Sequence, residues 1–211
     1  MIITRIQRKR GKKPRYVISL DGQPGLEVSD WTLGKFGLRA GDDIDGDVVD
    51  GIKTAESDIQ AKNTAINFLS YRPRSGKEIV DHLIKKGFRR EIGSRVVQHL
   101  HALGMIDDEK FAYAFARDRM RKKPVGEALL RKELGSKGIT GATAEKVLLE
   151  ILPPAIQQEA ALRAVQKKLR TLQSRKSKHD TDTKKKRLLD FLLRRGFPYE
   201  IALKTIHRTL D

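Results

Sequence analysis

Several groups of residues in this 211-residue chain have the types and spacing of chemical sites. Asp107 and Asp108 stand together in GMIDDEKFAYAFARDR, before an alanine and aromatic run that ends in arginines. As a catalytic or metal-binding pair they need a partner acid, base or ligand at a workable spacing, and none is nearby. As a helix start they need nothing more. Asp107 is an N-cap, Asp108 and Glu109 fall in the first turn where negative charge is favoured, and Ile106 with Phe111 forms a hydrophobic staple. Asp43, Asp45 and Asp47 alternate like calcium-loop ligands, but the loop glycine would have to stand at Val48 and the closing glutamate at Thr54. In SGKE the first glycine of a phosphate-binding loop would fall at Tyr71, so Ser75 is expected to start a helix instead. His99 and His101 point apart on a helix, and no other histidine pair has metal-type spacing. The chain has no cysteine, which excludes disulfides, thiolate metal sites and Cys nucleophiles. No cofactor, metal or catalytic set is expected, and the reading leans to binding rather than catalysis.

The charge indicates what would be bound. Lys and Arg number 44 against 27 acids, a formal net charge of +17 with a pI near 10.1, which favours a polyanionic partner. Residues 53–211 hold 35 of the basic residues against 19 acids, so most of the field arises there. Residues 1–52 are nearly balanced in sum, with basic residues first and Asp42, Asp43, Asp45, Asp47 and Asp50 last. No apolar run approaches a membrane span, the first fifteen residues are too basic for a secretory leader, and a cytoplasmic location is expected.

The elements that must position these charges divide into two kinds. IITRIQR (2–8) and RYVISL (15–20) are β-type runs expected to form a hairpin across KRGKKP. Gly22, Pro24 and Gly25 then break the chain. Ser29 or Asp30 caps a short helix through Trp31 and Phe36 that Gly37 ends, and GDDIDGDVVDG is a turn-rich exit. Residues 1–52 are thus expected to be a small α/β module, with Trp31 in its core.

Beyond residue 53 the chain repeats. DHLIKKGF, KELGSKGI and DFLLRRGF align on Gly87, Gly138 and Gly196. Four residues earlier stand Leu83, Leu134 and Leu192, eight earlier Ile79, Leu130 and Leu188, and ten later Val97, Leu148 and Ile206. The spacings of four and eight place one apolar stripe on one helix face. Each glycine is expected to cap a helix in the left-handed conformation, with basic residues complementing the negative end of the dipole. Ala61, Ala65 and Leu69 recur as Ala112, Ala116 and Met120 at an offset of 51, and Pro73 recurs as Pro124. The third repeat is lengthened by the basic stretch before Lys185, so its first helix is expected over 155–172 after Pro153 and Pro154, and residues 173–183 could be left without order. Each repeat is helix, basic loop, helix, glycine, helix. The fold expected is mostly α: three tandem three-helix repeats (53–105, 106–153, 154–211) stacked in an elongated, curved array behind the N-terminal module.

The cluster Arg117, Arg119, Arg121, Lys122 and Lys123 at the end of the Asp107 helix has two readings, a solvated helix end or an anion-contacting edge, and both stay open. Residues 163–187 carry eleven basic residues against two acids, which suggests a second electrostatic clamp of exposed positions at Lys184, Lys185, Lys186, Arg194 and Arg195.

At YRPRSGKEIVDHLIKKGF (71–88), LGMIDDEKFAYAFARDRMRKKPVGEALLRKELGSKGI (103–139) and KKKRLLDFLLRRGFPYEIALKTI (184–206), together with AKNTAINFLS (61–70), the chain resembles the RecX family of regulators of the RecA recombinase. The resemblance implies three three-helix units and no enzyme activity. It implies docking in the groove of the RecA filament on single-stranded DNA, with suppression of RecA ATP hydrolysis, strand exchange and co-protease activity. Arg72, Arg74, Lys85 and Lys86 are further contact candidates, beside the two clusters above. A monomer is expected, and direct contact with DNA is a further expectation. The rival reading is a helical repeat protein that holds nucleic-acid phosphates without RecA specificity.

Overall fold

The structure, a computed structural model, describes residues 1–11, 14–173 and 181–210. It divides into two compact units, Met1–Arg72 with Ile79–Leu100, and Pro73–Glu78 with His101–Asp211.

The first unit opens with three antiparallel strands, β1 (Ile3–Lys9), β2 (Arg15–Leu20) and β3 (Gln23–Ser29), in the order β1-β2-β3. The expected hairpin is therefore one strand short. What reads as a chain break is a second hairpin: Asp21 and Gly22 both take positive φ, 51° and 81°, between the paired Leu20 and Gln23, the conformation that a two-residue hairpin loop requires. Pro24 is tolerated because β3 is an edge strand. Gly25 is absorbed at a register shift, where Ile18 pairs with Leu26 and Ser19 with Pro24.

The sheet buries Ile3, Ile18, Leu26 and Val28 against Leu38, Ile44, Val49 and Ile52. Ser29 caps α1 (Asp30–Lys35), accepting from the Thr32 N–H, and Gly37 follows with φ +61°. Trp31 does not join this core. It is 56% exposed, because α1 turns Thr32, not Trp31, inward.

Helix α2 (Gly46–Leu69) also departs from expectation. The GDDIDGDVVDG run is only half turn: Asp45 accepts from the Val48 N–H at 2.9 Å and caps a helix 24 residues long. The junction anticipated at residues 52 and 53 thus lies inside a continuous helix, whose first turns cover the sheet. Glu56 joins them. Its carboxylate is buried, yet it accepts from the Ser29 N–H at 2.8 Å, the Thr32 hydroxyl at 2.8 Å, Gln60 Nε2 at 3.2 Å and the Arg15 guanidinium. Burial pushes this carboxyl up, but the donors, led by the Ser29 N–H, outweigh it and hold it below its ordinary range.

The remaining helices are α3 (Gly76–Lys85), α4 (Arg90–Ala102), α5 (Asp108–Lys122), α6 (Glu127–Ser136), α7 (Gly141–Ile151), α8 (Pro154–Gln173), α9 (Thr181–Arg194) and α10 (Tyr199–Leu210). The segment in which order was in question, 173–183, falls mostly on residues outside those described. Its ends are helical, Gln173 closing α8 and Thr181 opening α9.

The three repeats share one local geometry. Ile79, Leu83, Leu130, Leu134, Leu188 and Leu192 are all fully buried, as are Ala61, Ala65, Ala112 and Ala116. Gly87, Gly138 and Gly196 have φ of +90°, +83° and +79°. In each, the N–H after the glycine returns to the leucine carbonyl five residues back: Phe88 to Leu83, Ile139 to Leu134 and Phe197 to Leu192, at 3.0–3.1 Å. This is the six-to-one closure of a Schellman cap.

Within the second unit the glycine turns also meet helix starts. A Cβ on Gly138 would stand 2.6 Å from that of Lys77, in the first turn of α3. Gly196 lies against the start of α6: the Gly126 N–H donates to the Arg195 carbonyl at 2.9 Å, and the Ala128 N–H to the Gly196 carbonyl at 3.2 Å. A Cβ on Gly126 would collide with the Gly196 peptide, although Gly126 has an ordinary φ of −81°. Gly87, with no atom within 4 Å of its would-be Cβ, is constrained by conformation alone.

Two predictions follow from these constraints. Gly87→Ala should cost about 1 kcal/mol, the penalty of a left-handed alanine, whereas Gly126→Ala should cost at least about 3 kcal/mol because backbone must move; chemical denaturation of the two variants would measure this order. Glu56→Ala should cost about 3 kcal/mol, because the Ser29 N–H and the Thr32 hydroxyl lose their buried acceptor and Arg15 keeps only Glu27. Because the folded carboxyl titrates below the unfolded one, Glu56's contribution is full above the unfolded value of about 4.3 and is lost as pH falls through the folded value. The gap in melting temperature between wild type and Glu56→Gln should close on acidification and not on alkalinisation.

Candidate functional site

The Asp107–Asp108 pair that opens α5 caps two helices. Asp107 Oδ1 accepts from the Lys110 N–H at 2.8 Å, and this bond, the largest influence on it, holds the carboxyl below its usual range. Ile106 and Phe111 are both buried beside it, as a staple requires. Asp108 reaches beyond its own helix. Its Oδ1 accepts from the Gly76 N–H at the start of α3, at 2.8 Å, and its Oδ2 lies 3.6 Å from His101 Nε2. Ser75 adds a second cap there, accepting from the Glu78 N–H at 3.2 Å. No group of three metal-ligating side chains exists among the described residues, and both aspartates are engaged as caps.

The basic end of α5 separates into bound and available cations. Arg119 holds Glu133 of α6 through two bonds of 2.6 and 2.8 Å and also donates to the Lys123 carbonyl. Arg121 and Lys122 share Asp118 at 2.8 Å each, and Lys122, then Arg121, holds that carboxyl low. Arg117 is exposed, over the ring of Tyr113 at 5.6 Å. Lys123 is exposed with no carboxylate partner among the described residues.

The third-repeat cluster is not the exposed clamp expected. Arg195 donates to the Pro124 carbonyl at 2.8 Å and lies over the Phe191 ring at 4.9 Å. Burial, and then the Arg119 charge, lowers its affinity for a proton. The requirement is geometric: Gly196 must touch α6, and its neighbour is carried inward with it. Lys184 and Lys185 are half-buried, while Lys186 and Arg194 are exposed. Through Arg195 and Pro124 the end of α9 meets the end of α5, while Arg117, Lys123 and Arg194 stay exposed. Lys184–Lys186 stand at the other end of α9, roughly 15 Å away at 1.5 Å per residue. Of the remaining candidates, Arg74 lies in this unit, whereas Arg72, Lys85 and Lys86 lie in the first, all exposed but Arg74.

The position before each cap glycine illustrates what sequence alone does not decide. Lys137 pairs with Glu78 at 2.7 Å and Arg195 binds Pro124, but Lys86 is exposed. Three equivalent basic residues have different fates, set by whether a helix start lies opposite.

A basic chain of three glycine-capped helical repeats, with a small sheet before them, defines a class of helical repeat protein. Models of the RecX family match in order: its first three-helix domain over residues 61–100, its second over 107–148 and its third over 155–206. The regulatory protein RecX of Bacillus pumilus is 30% identical over 210 residues, covering 99% of this chain and 78% of that one. That of Streptococcus uberis is 27% identical over 198 residues, covering 94% and 74%. A crystal structure of regulatory protein RecX shares the fold with a TM-score of 0.72 at 24% identity, over 96% of this chain and 98% of that one. RecX from Lactobacillus salivarius gives a TM-score of 0.61 at 29% identity, over 74% and 98%. The chain belongs to the RecX family of regulatory proteins. No described helix is long and apolar enough to cross a membrane.

The partition of cations is testable through stability. Arg195→Gln should lower stability by about 1.5 kcal/mol through loss of a charged hydrogen bond, whereas Arg194→Gln, one residue away, should leave the melting curve within about 0.5 kcal/mol of wild type.

Proposed function

We propose that this protein binds the RecA filament on single-stranded DNA and lowers RecA ATP hydrolysis, strand exchange and co-protease activity. The observation that carries this reading is the ordered match of three RecX domains across residues 61–206. The charge supports it: a net +17 suits a nucleoprotein filament, and contacts spread over several repeats add through effective concentration without any one being strong. Within the second unit the contact reading rests on Arg117, Lys123, Lys186 and Arg194 and excludes Arg119 and Arg195, which hold the fold together. Arg72, Lys85 and Lys86 are the first unit's candidates. We read the protein as a regulator without catalytic activity of its own, acting as a monomer in the cytoplasm.

The same charge favours a second reading, phosphate binding with no RecA specificity. On duplex DNA such binding should weaken with a log–log salt slope of about −0.9 per phosphate contact, whereas filament binding should keep a salt-tolerant, RecA-dependent part.

Titration into RecA turning over ATP on single-stranded DNA should lower the ATPase at near-stoichiometric amounts. Replacing Arg117, Lys123, Lys186 and Arg194 together with glutamine should leave the melt nearly unchanged and weaken inhibition most at low salt, where charge is least screened. An unchanged ATPase across a wide titration of folded protein would overturn the proposal.

A further inference from the structure

The single tryptophan of the chain lies in water, against the expectation from its size. Trp31 is 56% exposed, and burying a large aromatic ring is among the most favourable things a small module can do. Its surroundings suggest what it does instead. The ring borders a groove of about 550 Å³ in the first unit, floored by Ile59 and Val96 and edged by Lys35, Lys62 and His99. Lys35 Nζ, one turn along α1, stands 4.8 Å from the ring centroid, within reach of a cation–π interaction. Across the groove Lys62 donates to His99 Nε2 at 2.7 Å. The acid of the lining, Asp58, is already held by Arg95 at 2.6 Å. The groove therefore offers a flat aromatic face, an apolar floor and a rim whose charge, after that pair cancels, is positive.

We propose that this groove is a binding site for single-stranded nucleic acid, in which a nucleobase stacks on Trp31 and the flanking phosphates lie against Lys35 and Lys62. The chemistry is that of stacking platforms: any base has a face to offer, and cations beside the ring track the backbone. An acidic peptide would satisfy the rim but make less use of the ring. A duplex would satisfy the rim but keeps its bases stacked on one another. The site stands on first-unit residues alone and does not rest on the RecA reading.

Because Trp31 is the only tryptophan, its emission reports on the groove directly. Titrating the full chain with a short oligothymidylate at low salt should quench this emission saturably. Inorganic polyphosphate and polyglutamate, which carry charge without a base, should not quench it. By anisotropy of a labelled oligothymidylate, Trp31→Ala should weaken binding about tenfold, within the range for loss of one stacked base, and Trp31→Phe should restore most of it. Lys62→Gln, which leaves the ring in place, should weaken binding and reduce the log–log salt slope by about 0.7, one single-strand phosphate contact. Three outcomes would each overturn the proposal: no oligothymidylate binding, oligonucleotide binding with unchanged Trp31 emission, or equal quenching by polyglutamate. None of them bears on the ATPase experiment, which measures a separate property.

Discussion

The approach of two backbones at Gly126 and Gly196 is the constraint on which the second unit depends. Peptide groups on α6 and at the end of α9 bond directly, Gly126 N–H to the Arg195 carbonyl, with no side chain between them. That contact requires the absence of a Cβ on both partners, but for different reasons. Gly196 needs a left-handed φ as well as space, whereas Gly126 needs only space. Once the two segments touch, the leucines flanking each turn are fixed over a common interior that runs from Phe111 to Ile206. The same close approach recurs in weaker form at Gly138 and Lys77, where a side-chain stem rather than a peptide lies opposite.

This packing also decides which cations are left over. A helix that ends in basic residues before glycine already complements its own dipole. When the turn is pressed against another helix, the last basic residue is drawn into the contact and finds an internal acceptor, as Lys137 finds Glu78 and Arg195 finds Pro124. Arg119 is removed from the surface in the same way, by a two-bond grip on Glu133. Fewer basic side chains are thus available for direct contact than the composition suggests. Arg117, Lys123, Lys186 and Arg194 are among those that stay exposed.

The first unit is governed by a buried carboxylate. Glu56 ties a strand, the cap of α1 and the body of α2 through one side chain, and it remains ionised because four donors face it. A charge in such a place is costly unless fully paired, so Arg15, Ser29, Thr32 and Glu56 act as one set. By turning Thr32 inward to complete it, α1 turns Trp31 out. The exposure of the tryptophan and the satisfaction of the glutamate are two results of one helix orientation.

Periodicity in the sequence was sufficient for the repeats. The leucine-to-glycine spacings fall on fully buried positions in all three, because a helix stripe and a left-handed cap are local properties that a few neighbouring residues determine. The Asp107 cap and the Ile106–Phe111 staple were legible for the same reason, and the matched family has the same three units. The third strand was legible in principle in Asp21–Gly22, but Pro24 and Gly25 obscured it; only pairing with β2 shows one at an edge and the other in a bulge. The roles of Asp108, Glu56, Arg119 and Arg195, and the exposure of Trp31, were decided by tertiary structure. Each depends on a partner 14 to 71 positions away, or on which way a short helix turns, and residue type carries no record of what will lie opposite once the chain has folded.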